Sequence, residues 1–525
     1  MVTHGTRTMV LVSRAVDQRE ELGRPRGSLP AWPILTGLLV LAVALRLVGL
    51  PADLPFMHHP DEPVNLRIID GMILRSDPNP QFFKYPSLFL YLHAALHLDG
   101  PLLGWIPGLA EQAPVTQVLG VSYAPTAGSV LMHRWVTVIL GALVVMVGWL
   151  TARRVTTGLL PPTMTGLLLA LSPTSVTYSR LITPDVPAML FVAVAVYAAV
   201  LVQQSRSWWA YAAAGFAVGL AASTKYNAVL AAVPVIVAGL LGRRAVLGLF
   251  LAGASAVVGF LTTTPYAVLD HTEFLKGLQF ERNHYASGHS GMEGGTMTYY
   301  VWHLATREGL LVLLAMAGLI AARKRWRLAL VLASFPLAYG AVVSMQAVRN
   351  DRTIMLLVPP LAVLAALAVQ PVVRWARTYQ AATLAAFAIV LGALAAVLSL
   401  GAVSTIPWSG PSTWVAHAQL PWSGPSTWTQ AQQWLNTNAD GSPIVIESYG
   451  PWLDPTRHQV IPCDRVVDCR PPPGGYVVAS EGMYGRFTTD AYPADHAAYQ
   501  HLFIRLREVA RFDHNGPTIR IFAVP

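Results

Sequence analysis

Apolar runs dominate the chain between residues 32 and 402 and are broken at intervals by short polar stretches. A helix needs roughly 20 predominantly apolar residues to cross about 30 Å of hydrocarbon. Runs that reach or approach this length lie at 32–50, 132–150, 157–177, 187–204, 208–223, 227–242, 245–266, 309–322, 328–347, 353–370 and 380–402. They predict eleven transmembrane helices.

Two regions depart from that rhythm. The loop 51–131 is far longer than an ordinary connection, and loops of that kind are usually functional or disordered. It carries order of its own, because Val64, Ile68, Ile69, Met72 and Ile73 recur at helical spacing after Pro63, as in a helix lying in the interface plane. The run "YPSLFLYLHAALHL" at 85–98 is apolar but too short to span, which predicts an interfacial or re-entrant segment. After residue 402, "PWSGPSTW" occurs at 407–414 and again at 421–428, a duplicated linker rather than a solenoid. Beyond it come helical "TQAQQWLNTNA", the strand-like "SPIVIES", "GYVVAS" and "TIRIFAVP", and amphipathic "HAAYQHLFIRLREVARF".

The pattern predicts a polytopic α-helical membrane protein of about eleven transmembrane helices with a small C-terminal extracytoplasmic α/β domain. Its divisions are a cytoplasmic polar tail at 1–30, a membrane domain at 31–402 with the long outer loop 51–131, the repeated linker 403–428, and the α/β domain 429–525.

Composition agrees. Of 525 residues, 54% are hydrophobic and 12% charged, where a soluble domain carries about 25% charged residues. Arg153 and Arg154, Arg206, Arg243 and Arg244, the Arg323–Lys324–Arg325 run, and Arg374 with Arg377 fall at alternate turns, and cations near span ends mark the cytoplasmic side. The amino terminus is then inside and the carboxyl terminus outside, with the first span an uncleaved anchor. This bias accounts for much of the +9 net charge, so no nucleic-acid partner is implied. Cys463 and Cys469 fall in the outer segment, where a local disulfide is expected ahead of a zinc site that would recruit His458.

The opposite side carries ionisable groups that topology does not require: Asp61, Glu62, Lys84, Arg180, Asp185, Lys225, Arg349, Asp351 and Arg352, with Asn350 among them. Such groups at a membrane boundary are costly and tend to mark functional sites. Several have ordinary explanations. "PDEP" suits a helix start with Asp61 as N-cap and Pro63 in the first turn, and Asp185 also precedes a span. Lys84 suits an interfacial lysine that reaches water. His58 and His59 lack the paired spacing of metal ligands. Lys225 separates two apolar runs with no acid beside it in sequence, so it needs an anion from elsewhere. Arg349 and Arg352 are three apart, with Asp351 as an internal salt-bridge partner.

"HHPDEP", "NPQFFKYPSLFLYL", "SRLITPDVP", "GLAASTKYN" and "RNDRTIMLLVPPLAVLAA", in that order, resemble the GT-C glycosyltransferases of the protein O-mannosyltransferase and aminoarabinose transferase type. The resemblance implies transfer of a sugar from a polyprenyl-monophosphate donor to a hydroxyl on the outer face of a bacterial plasma membrane, with Asp61 as base and inversion at the anomeric carbon. It implies Asp185 as the second acidic position and a donor phosphate held by Lys225 with Arg349 or Arg352. Glu62 is left to orient or pack, since adjacent helical side chains point about 100° apart. His59, Lys84, Tyr85 and Asn350 are candidate substrate contacts. The acceptor is a protein, glycolipid or polysaccharide. No cofactor is required, although Asp61 and Asp185 sharing a divalent metal is the alternative. "RNDRTI" lacks the aromatic that many relatives carry after the second arginine. The rival reading is a transporter or flippase of a lipid-linked or anionic solute, which would often show repeated halves; none is seen in the spans.

Overall fold

The computed structural model describes residues 31–95, 116–376 and 426–525, apart from 52–53, 55, 58, 119–120, 206, 243–244, 289–295, 440, 455, 488–491 and 515. Among the described residues, five helices are long and apolar enough to cross a membrane: Ala127–Val155, Asp185–Ser205, Ala245–Thr263, Arg323–Ser344 and Asp351–Pro371. The pair Thr296–Arg307 and Gly309–Ala321 is long and apolar enough together but bent by 98°, the form of a broken span or a re-entrant loop. Shorter apolar helices occupy Ala31–Leu47, Leu160–Leu171, Trp208–Ala222 and Tyr226–Leu240. The expected span 380–402, most of the duplicated linker, and the polar tail lie outside the described residues.

The other expected spans are helical, but several are broken where the sequence supplies a reason. Segment 157–177 divides at Ser172, whose side chain accepts from the Ser175 N–H while Pro173 opens the next short helix. Segments 227–242 and 353–370 begin as 3-10 turns, Tyr226–Ala231 and Asp351–Leu357. Each turn follows an extended residue, Lys225 at φ −150° and Asn350 at φ −148°. The polar residues of the candidate site thus sit at interruptions between apolar helices. Elsewhere the bundle packs backbone to backbone through small residues. A Cβ on Gly215 would lie 1.9 Å from the Ala252 carbonyl oxygen, so the Trp208–Ala222 and Ala245–Thr263 helices need glycine there.

The outer loop is folded onto the bundle. Its helix Asp61–Arg75 buries Leu66, Ile68, Ile69 and Met72, as the helical spacing predicted. Pro60 rather than Asp61 occupies the N-cap position, so Asp61 is the first helical residue and its side chain is not spent on capping. The 85–98 run forms the eight-residue helix Leu88–Ala95, and the antiparallel pair Thr116–Val118 and Val121–Tyr123 follows.

The C-terminal domain holds a five-stranded sheet in the order Gln459–Cys463, Pro443–Glu447, Tyr476–Ser480, Ile519–Ala523, Arg507–Phe512. The first three strands are parallel and the last two antiparallel. Strand Gln459–Cys463 was not expected, because Pro462 and a mixed pattern hide it; it lies at the sheet edge, where proline is tolerated. The amphipathic 496–512 stretch is not one helix: Pro493–Arg505 is helical, and Arg507–Phe512 pairs as a strand. The domain also starts before 429, since Ser426 caps the Thr427–Asn438 helix and Trp428 is buried. Cys463 and Cys469 form a disulfide, and His458 bonds Asn436 Oδ1 at 2.7 Å rather than approaching sulfur. Trp452 Nε1 donates to the Met57 carbonyl at 2.8 Å, seating this domain on the outer loop just before the candidate site.

Candidate active site

Four charged side chains from four distant segments meet at one end of the bundle, beside the start of the Asp61–Arg75 helix. Arg352 donates to Asp61 Oδ2 and lies 3.9 Å from Asp185 Oδ2. Asp185 Oδ1 accepts from Lys225 Nζ at 2.7 Å. The order Asp61–Arg352–Asp185–Lys225 alternates in sign, which is what allows four ionised groups to share a partly dry site. Asp185 is the first residue of its helix and is 1% exposed, whereas the Asp61 side chain is 24% exposed and reachable by a solute. Burial works to raise the Asp61 carboxyl, but the guanidinium of Arg352 outweighs it and the group is held down at about 2. His59 is buried and its Nδ1 accepts from the Asp61 backbone N–H at 3.2 Å. Burial lowers the pKa of that imidazole below 6.5, so it accepts as the neutral ring.

Lys225 also lines an adjoining cavity of about 440 Å³, together with Lys84, Tyr85, Glu281, Tyr285 and Gln346. The wall is assembled by close packing of the "FFKYP" loop on the helix His271–Ser287. A Cβ on Gly277 would lie 2.6 Å from the Phe83 carbonyl, so only glycine admits the loop. Tyr226 then donates to the Phe83 oxygen at 2.8 Å, and Lys84 Nζ sits 3.9 Å above the Phe280 ring. Tyr85 is pushed well above its ordinary pKa by burial and then by Asp61, and it stays a neutral donor.

The structure therefore brings Asp61, Asp185, Lys225, Arg352, His59, Lys84 and Tyr85 together around one site. It separates three others. Glu62 turns away into the bundle and is held by Arg134. Asn350 serves the backbone, accepting from the Arg352 N–H at 3.1 Å. Arg349 stands with its guanidinium 5.5 Å from the Tyr299 ring centre, and it does not line the cavity. Asp351, expected to pair with the neighbouring arginines, instead accepts from the Tyr178 hydroxyl at 2.5 Å and from the Arg352 backbone N–H. Arg349 and Arg352 do not share a helical face, because the helical turn begins only at Asp351, after the extended Asn350, and Arg352 points to Asp61 instead.

Sequence reasoning missed Glu281 and Tyr285. The signal was present: Leu278, Glu281, Arg282 and Tyr285 lie at i, i+3, i+4 and i+7 on the His271–Ser287 helix, and all four face the cavity.

No curated protein matches the sequence. The family model for dolichyl-phosphate-mannose-protein mannosyltransferase matches residues 101–243, a stretch holding Asp185 and Lys225 but neither Asp61 nor Arg352. ArnT from Cupriavidus metallidurans in the apo state is 16% identical over 93% of this chain and 98% of its own, with a TM-score of 0.53. The same protein bound to undecaprenyl phosphate gives 17%, 93%, 98% and 0.53. The archaeal oligosaccharyltransferase AglB from Archaeoglobus fulgidus, in complex with an inhibitory peptide and a dolichol-phosphate, is 14% identical over 93% of this chain and 74% of its own, with a TM-score of 0.51. The chain has the GT-C fold. It is an integral membrane protein, and the GT-C fold accounts for the mostly helical body with a small C-terminal sheet domain. Within the GT-C fold, the charged quartet lies where the start of the Asp61–Arg75 helix reaches Arg352, and the cavity adjoins it at Lys225.

Proposed function

We propose that this protein is a glycosyltransferase that moves a sugar from a polyprenyl-monophosphate donor to a hydroxyl acceptor on the outer face of a bacterial plasma membrane. The observation that carries this reading is Asp61, an accessible carboxylate fixed by Arg352 beside a cavity lined with Lys84 and Lys225. The ArnT structure bound to undecaprenyl phosphate and the AglB structure in complex with a dolichol-phosphate share the fold and support that class of donor.

The acceptor oxygen attacks the anomeric carbon from the face opposite the phosphate, its proton passes to Asp61, and the carbon–oxygen bond to phosphate breaks with its electron pair left on the departing lipid phosphate. Inversion follows. Phosphate is a good leaving group, so one base and nearby cations suffice, unlike the two carboxylates of a glycosidase. Lys84 and Lys225 meet the growing negative charge. A carboxylate held at about 2 is a weak base, and donor binding supplies the correction: a phosphate that draws on Arg352 relaxes its hold on Asp61 and raises the basicity of Asp61 as the donor seats. A divalent ion shared by Asp61 and Asp185 does not suit this arrangement, because the guanidinium of Arg352 already reaches toward both carboxylates. No step is routed through a metal.

The test is purified protein in lipid vesicles offered a panel of polyprenyl-phosphate sugars, each with hydroxyl acceptors, following release of polyprenyl phosphate. Release with an inverted glycosidic product supports the reading. Movement of the intact lipid or a free anion across the vesicle, with no bond broken on any donor, would replace it with the transporter.

A further inference from the structure

Glu281 is the one cavity carboxylate that the reaction above leaves without work. It is half-buried and faces Lys84, Lys225 and Arg352 together with Asp61. Among the described residues, no cation stands within ion-pair distance of it: Lys225 is bonded to Asp185, and Lys84 lies over Phe280. The other polar groups that share the cavity wall with it are Tyr85, Tyr226, Asn227 and Gln346, with Arg282 and Tyr285 from its own helix. Arg282 is exposed at the rim, where water screens it. The inner charges balance, with Lys84, Lys225 and Arg352 against Asp61, Asp185 and Glu281. A phosphate entering beside the two lysines adds a negative charge to a site that is already neutral.

We propose that Glu281 is the proton-accepting carboxyl of the donor site, ionised in the empty cavity above neutral pH and protonated when the phosphodiester of a lipid-linked sugar enters, so that donor binding there takes up as much as one proton. This rests on the reading of the cavity as the donor-phosphate site. Three features of the site support it. The carboxyl is in the wall, it has no fixed cation to forfeit, and it is the member of the charge set that gives up its charge at least cost. Burial already pushes it up to about 7, against the opposing pull of Lys225, Lys84 and Arg352. A second negative charge in the cavity raises it further. Protonated, it becomes a hydrogen-bond donor in a wall facing phosphate oxygens that only accept.

The sign of the linkage is fixed. A group whose pKa rises on binding makes affinity greatest below its free value and weakens it as pH climbs between the free and bound values. The slope cannot exceed one proton, about tenfold in affinity per pH unit. The nearby imidazoles do not supply it: burial lowers His59 below 6.5, and burial with Lys84 and Arg352 does the same to His284.

The experiment uses the full chain in lipid nanodiscs and, as probe, the methyl diester of undecaprenyl phosphate, whose single negative charge does not titrate near neutrality. Its affinity is measured from pH 6 to 8.5. The wild type is expected to weaken above pH 7 by up to about tenfold per unit. Glu281→Gln should hold the low-pH affinity throughout, with no slope, and Glu281→Asp should restore a slope. Wild-type binding that is level across this range, a Glu281→Gln protein that keeps the slope, or one that loses binding at pH 6 where the amide should replace the acid, would each overturn the proposal. A wild type that binds the diester at no pH would instead sink the assignment of the cavity to a lipid phosphate.

Discussion

Arg134 grips both oxygens of Glu62, Nε to Oε1 and Nη2 to Oε2 at 2.9 Å each, with the two side chains 1% and 0% exposed. The same arginine donates to the Leu50 carbonyl at 2.9 Å, and Glu62 Oε1 also accepts from the Ile182 N–H at 3.3 Å. This clamp joins the end of the first helix, the start of the outer-loop helix and the segment before Asp185. It sets the residue beside Asp61 on the bundle without itself facing the site.

Glu62 therefore serves placement. Glu62→Ala leaves Arg134 buried with no counter-charge, which costs about 3–5 kcal/mol. The expected result is a large drop in the thermal midpoint of the detergent-solubilised protein. Arg134→Leu combined with Glu62→Leu should recover much of the midpoint, because no unpaired charge is then left inside. A lone Glu62→Ala protein with wild-type stability would contradict the clamp.

Asp61 should behave in the opposite way. Asp61→Asn keeps an oxygen for Arg352 to donate to, and the N-cap position belongs to Pro60, so the helix loses no capping bond. Stability should fall by no more than the lost ion pair with Arg352, without the collapse expected of Glu62→Ala, while turnover falls on the order of 10²-fold or more, the typical worth of a positioned base. Single-turnover transfer measured beside a melting curve separates the two effects. Turnover within a few-fold of wild type would leave Asp61 with only a structural part.

Lys225 and Asp185 form a pair that meets 40 positions apart in sequence. Each single alanine variant leaves its partner charged and enclosed, so each should lose donor binding and turnover heavily. Removing both should cost clearly less than the two single losses combined, the signature of coupled neighbours. Donor KM and kcat for the full double-mutant cycle provide the check. Strict additivity would mean that Lys225 contacts the donor without regard to Asp185.

These pairings mark the limit of what the sequence disclosed. The apolar runs, the outer-loop helix and the individual charged residues at one membrane face were legible because period and polarity are local properties. The partners were not. Asp61 and Arg352 are 291 residues apart, and Asp351 looked like the natural partner of its neighbours until the 3-10 turn after Asn350 redirected the chain. Lys225 was legible as a cation in need of an anion, although the anion itself could be found only in the folded bundle. Glu281 escaped because its helix, His271–Ser287, is polar and lies outside the apolar runs, so that its cavity face showed only in the spacing of Leu278, Glu281, Arg282 and Tyr285. The break at Leu506 was hidden for a different reason: a period suited to a helix continued into residues that a neighbouring strand, Ile519–Ala523, captured for the sheet.

The hold of Arg352 on Asp61 predicts how activity responds to acid. A base must be deprotonated to work, so the rate falls as pH drops through its pKa. In the free protein that value is about 2, which places the acidic fall of kcat/KM below the ordinary assay range. Arg352→Gln removes the principal cause of the depression and leaves burial, which raises the group. Its acidic limb should therefore move upward, to the ordinary carboxylate value of about 3.9 or beyond, and show as a decline between roughly pH 6 and 4. Arg352→Lys keeps a charge without the planar fork, and its limb should fall between the other two. The decisive measurement is the pH dependence of kcat/KM for the three proteins on one donor. If the limb stays in place while the overall rate falls, Arg352 acts on the donor alone, and the coupling between phosphate binding and the strength of the base is lost.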